Sequence, residues 1–211
     1  MAWETLTWWL RNRRSLAQLD SDDGDAPSLD GMLSPRAPHE PPGPEMAGRD
    51  VAACVAALVD QLADSLERGA GGSLRTTAGG RQLLRASPAA RGQAMVHLAR
   101  AIADWPHGPT VPSPMTQGPR LLANLLDEIA SGAEADEPQL VEVLDRLAGV
   151  RPSVGPLDGL VHAAESLVDR GRASARLQRP LRDLRHGLPL EARGLRHRVQ
   201  QLLRRLGRGD G

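Results

Sequence analysis

RDVAACVAALVDQLADSLER, residues 49 to 68, sets Val51, Cys54, Val55, Leu58, Leu62 and Leu66 at three-and-four spacing. That spacing gathers apolar side chains on one side of a helix, so the segment predicts an α-helix with a single buried face. Gly69, Gly71 and Gly72 close it, and Gly79 and Gly80 bound a loop expected to hold little regular structure. A short helical piece around Leu83 and Leu84 follows. Ser87 and Pro88 then offer an N-cap and a first-turn proline to a helix reaching Trp105, with Ala94, Met95, Leu98 and Ile102 inward.

Beyond a proline-rich break from Pro106 to Gly118, the same grammar repeats. Pro119 opens a seam of Leu122, Leu125, Leu126 and Ile129, and Pro138 opens one of Leu140, Val141, Leu144 and Leu147. Pro156 precedes Leu157, Leu160, Val161, Ala164, Leu167 and Val168. Pro180 makes 173–186 either kinked or split. A last seam carries Leu188, Ala192, Leu195, Val199, Leu202 and Leu206. The expected fold is all-α: a helical bundle or irregular α-solenoid-like stack of seven to eight helices.

The expected layout is an N-terminal amphipathic helix over residues 1–20, an acidic Pro-rich linker over 21–47, a helical domain over 48–207 and a short tail over 208–211. The linker shows no apolar periodicity, and a stretch of that composition cannot bury enough surface to offset its ordering entropy. Residues 87–105, with Ser87-Pro88-Ala89-Ala90-Arg91 followed by Ala94, Leu98 and Ile102, resemble one helix of a HEAT-type repeat. The resemblance implies an interaction scaffold.

Composition closes several classes of chemistry. All 26 basic residues are Arg, so a P-loop, which needs a phosphate-reaching Lys, and a pyridoxal phosphate site, which needs a Schiff-base Lys, are both excluded. Cys54 is the single cysteine, which rules out an intrachain disulfide and any multi-thiolate metal site. The longest apolar run, Val51 to Val59, has nine residues and falls short of a membrane span. With no secretory pattern at the start, a cytoplasmic location is expected. The six His residues form no ligand-spaced pair, and no nucleophile elbow or paired-carboxylate motif occurs, so no cofactor, metal or catalytic residue is expected.

Charge is zero overall but uneven along the chain. Between Arg170 and Arg208 stand 12 Arg against Asp183 and Glu191, and Arg172, Arg176, Arg179, Arg193, Arg196 and Arg204 fall at helical spacing. Such a face could grip nucleic acid phosphates. The opposing reading pairs it with the acids of 101–150, namely Asp104, Asp127, Glu128, Glu134, Asp136, Glu137, Glu142 and Asp145. At the other end, Trp3, Leu6, Trp8, Trp9 and Leu10 make an apolar cluster suited to docking on a partner's groove or on this protein's own body. The resulting expectation is a non-enzymatic adaptor or assembly component binding a protein partner or itself. Nucleic acid backbone binding is the alternative, and an enzyme with a tertiary-assembled site the second.

Overall fold

The structure, a computed structural model, describes residues 48–70, 72–106, 108, 111–148, 150 and 157–207. The expected N-terminal helix, the linker and the tail lie outside the described residues. Among them are eight α-helices: α1 (Gly48–Glu67), α2 (Ala78–Arg85), α3 (Pro88–Ala103), α4 (Gly118–Ala130), α5 (Glu137–Ala148), α6 (Asp158–Asp169), α7 (Gln178–Gly187) and α8 (Arg193–Leu206). Short 3-10 turns, Leu74–Thr76, Ser113–Gln117 and Ala175–Leu177, precede α2, α4 and α7.

Consecutive helices pair into four units: α1 with α2, α3 with α4, α5 with α6, and α7 with α8. The first members line up as one layer, α1 on α3 on α5 on α7, and the second members form another, α2 on α4 on α6 on α8. Every substantial packing contact among the described residues lies within a unit or between neighbouring units. Of the two arrangements left open by the pattern, this one is a stack, in which stability is a sum of unit and nearest-neighbour terms. Its centre is dry: Leu98, Ile102, Leu122, Leu126, Leu140 and Leu144 have no exposed surface.

Local chemistry marks the start of several helices. Asp136 and Gln139 form a reciprocal capping box, Gln139 N–H to Asp136 Oδ1 at 2.8 Å and Asp136 N–H to Gln139 Oε1 at 3.1 Å, at the head of α5. Ser87 accepts from Ala90 N–H at 3.3 Å ahead of Pro88. Gly79 and Gly80 lie inside α2, not in the loop before it, because Thr77 caps the helix by accepting from Gly80 N–H at 3.0 Å. A Cβ on Gly80 would stand 1.9 Å from the Leu74 carbonyl oxygen, so glycine serves close approach there. Pro180 falls in the first turn of α7, where its missing N–H costs nothing, and the segment is split by the 3-10 turn before it. Leu188 and Ala192 belong to the connection before α8, with Leu188 still buried.

Two contacts lock units together. The Trp105 ring is buried, donates its indole N–H to the Met115 carbonyl at 2.9 Å and rests on Gly118, where a Cβ would stand 2.2 Å from ring atoms. Between units, Asp127 of α4 caps α6 from outside, its Oδ1 accepting Gly159 N–H at 2.7 Å. Burial pushes the Asp127 carboxyl above its usual range, opposed by the N–H groups of Gly159 and Leu160. A Cβ on Gly159 would sit 1.9 Å from the Asp127 carbonyl oxygen, a backbone atom that cannot swing aside. Gly159→Ala is therefore expected to cost about 1–3 kcal/mol in chemical denaturation by forcing α4 and α6 apart. Gly194→Ala, which meets nothing within 4 Å, is expected to leave stability unchanged or raise it by up to about 1 kcal/mol through helix propensity.

Candidate functional site

The capping box that starts α5 also places a groove. Along α5, Glu137, Pro138, Val141, Glu142, Asp145 and Arg146 line an open depression of about 590 Å³ whose far rim is Arg176, from the turn before α7. A second depression of about 240 Å³ lies between α5 and α3, lined by Val96, His97 and Arg100 on the α3 side. Pro138 and Glu142 line both, so the two depressions adjoin along α5. The groove draws on α3, α5 and the start of α7, three successive units of one layer.

Its charges are partly spent. Arg100 donates to Glu142 at 2.8 Å and Arg146 reaches the same carboxylate at 3.3 Å. The Arg100 hydrogen bond, joined by Arg146, holds Glu142 below the usual carboxylate range despite desolvation. Glu137 accepts the Ser174 N–H at 2.6 Å, tying the α6–α7 connection to α5. Burial pushes His97 below its ordinary value, Arg100 adds to that, and Glu142 opposes it. Asp145 and Arg176 are exposed and carry no ion pair among the described residues. Together these groups make an apolar strip, Val96, Pro138 and Val141, edged by both signs of charge with one carboxylate and one guanidinium free. Such a surface can hold an amphipathic segment. Among the described residues no three His, Cys, Asp or Glu side chains gather into a metal-binding group, and no helix is long and apolar enough to cross a membrane.

Trp3, Leu6, Trp8, Trp9 and Leu10 lie outside the described residues. Of the six arginines expected to grip phosphates, Arg172 stands 3.8 Å from Glu134, Arg179 stands 3.9 Å from Asp183, and Arg196 donates to the Leu188 carbonyl at 3.5 Å. Arg176, Arg193 and Arg204 are exposed without an acid partner among the described residues. The six thus divide into three engaged and three free.

The strongest basic contacts come from arginines outside that set. Arg198 of α8 grips both oxygens of Glu165 on α6, at 2.9 and 2.7 Å, and reaches Asp158 at 2.9 Å. Arg205 pairs with Asp169 at 2.6 Å, and Arg170 with Glu134 at 2.7 Å. The α6 acids ascend with the α8 arginines, so the two helices run in the same direction. A signal for this ladder existed: Asp158 and Glu165, like Arg198 and Arg205, are seven residues apart and flank their leucine seams. Cys54, 7% exposed, has its thiol pushed up to about 11 by burial, which leaves it a packing residue with little thiolate.

No protein-family model matches this chain, and neither a curated protein nor a solved structure matches it.

The ladder gives a signed pH dependence. The Arg198 hydrogen bond lowers the Glu165 carboxyl in the folded state, so its stabilisation is present above the ordinary carboxylate value and is lost as pH falls through the folded one. Thermal melts from neutral to acid pH are expected to show that loss in the native protein and a shallower one in Glu165→Gln. Arg198→Ala is expected to cost about 1–2 kcal/mol at neutral pH, more than an exposed pair because the contact is bidentate and half-buried.

Proposed function

We propose that this chain is a non-enzymatic helical adaptor or assembly component that holds a protein partner along the α3–α5–α7 face. The observation that carries this reading is a groove running across three units, with an apolar strip and mixed charged edges. Stacked helical hairpins produce extended surfaces of this kind, suited to a segment laid across several repeats. The likeness of residues 87–105 to a HEAT-type helix points the same way, since such repeats serve as scaffolds. Catalysis would call for polar groups converging on an enclosed cavity, and both depressions here are open. A cytoplasmic setting belongs to the same reading, supported by the lone, buried Cys54.

The partner segment that fits carries Trp or Leu side chains for the strip and Arg for Asp145. An array of synthetic peptides pairing those residues at helical spacing tests this. A subset is expected to bind the full chain and to bind Val141→Asp at least about tenfold more weakly, a difference of about 1.4 kcal/mol. Equal binding by the two proteins overturns the reading, as does no binding by either the full chain or its full-length Trp3→Ser/Trp8→Ser/Trp9→Ser variant.

The second reading is backbone-directed nucleic acid binding, favoured by the three unpaired guanidiniums of Arg176, Arg193 and Arg204. Three phosphate contacts give a salt slope of about −3 on duplex DNA. A titration with duplex and single-stranded probes that finds no binding at low salt removes it.

A further inference from the structure

We propose that the groove's resident occupant is this chain's own segment 3–14, seated in the same molecule, with its tryptophans on Pro138 and Val141 and its arginines toward Asp145. The inference rests on the reading of the groove as a docking surface for an amphipathic segment, and it names the segment.

Chemistry and reach both support it. Residues 3–14 hold three of the protein's four tryptophans, together with Arg11, Arg13, Arg14 and one acid, Glu4. Large aromatic surface near arginines is what an apolar strip with a free carboxylate accepts. The groove has the complementary bias: Asp136, Glu137, Glu142 and Asp145 outnumber Arg100, Arg146 and Arg176, and two of those arginines are committed to Glu142. The fourth tryptophan, Trp105, is buried in the stack and takes no part.

The connection between segment and body, residues 15–47, ends where α1 begins. A chain of that length spans roughly 30 Å as a coil and about 100 Å fully extended as polyproline II. The groove lies two helices away from α1, since α1 packs on α3 and α3 on α5. Neighbouring helices stand about 10 Å apart and a helix as long as α1 spans about 30 Å, so the path is at most about 50 Å. The segment reaches the groove without strain, at an effective concentration on the order of millimolar. A foreign partner would then have to displace it.

Nitroxide broadening in the full chain tests this directly. A spin label is placed at Arg146→Cys; Cys54 is buried with its thiol pushed up to about 11 and does not compete for the label. In dilute ¹⁵N-labelled protein the indole signals of Trp3, Trp8 and Trp9 are expected to lose most of their intensity. They should regain it when either Val141→Asp or Asp145→Arg is added, with thermal melts confirming that each variant stays folded. Full intensity in the parent label overturns the proposal, as does broadening that survives both groove substitutions. Broadening seen only when labelled ¹⁴N protein is mixed with unlabelled ¹⁵N protein also overturns it, because the occupant is then a second copy. If the indole signals stay sharp while Val141→Asp still weakens peptide binding, the groove remains a docking surface and only its self-occupancy falls.

Discussion

No hairpin in this chain can bury its own leucine seam, and that constraint governs the rest of the structure. Leu98 and Ile102 of α3 and Leu140 and Leu144 of α5 have no exposed surface, and their helices pack on the neighbouring helices of the same layer. Covering one such side chain is worth about 1.5–3 kcal/mol, so a single unit standing alone would forfeit much of its stabilisation. The chain answers by stacking, and each new hairpin closes the face left open by the one before. On α8 the exposed positions are Arg193, Gly194, His197, Gln201, Arg204 and Arg205. None of them carries an apolar side chain.

Charge supplies orientation where apolar burial is indifferent. Leucine seams would tolerate several registers between α6 and α8, but Arg198 spanning Glu165 and Asp158, with Arg205 on Asp169, accepts one. Glu142 does the same between α3 and α5 through Arg100. Arg170, Arg198 and Arg205 of the basic C-terminal third thus serve as internal wiring, bringing charges that lie far apart in the sequence together across helices. That pairing also separates arginines with structural duties from Arg176, Arg193 and Arg204, which face solvent.

The seams were readable because a helical period survives in the order of residues, and Val51 to Leu66 needed no tertiary knowledge. Helix starts were less so: Gly79 and Gly80 read as a loop, while Thr77 and the nearby Leu74 carbonyl turn them into a first helical turn. Pro180 read as a break and serves as an opening residue. The seven-residue spacing of Arg198 and Arg205 was in view, but its worth depends on which helix lies beside α8, which local spacing does not say. The groove was invisible for the same reason, being assembled from α3, α5 and the turn before α7. Asp127, adjoining Glu128 in sequence, gave no hint that its carboxylate would cap a helix 32 positions on.

A protein organised this way spreads its stability along the stack, each unit leaning on its neighbours. The central claim is that stability passes only between neighbours, and native-state hydrogen exchange on Leu202→Ala, which opens a cavity in α8, tests it most directly. The account predicts that protection falls in α6, α7 and α8 while amides of α1 and α3 keep theirs. An equal loss of protection from α1 through α8 would contradict it, showing one indivisible core in place of a stack.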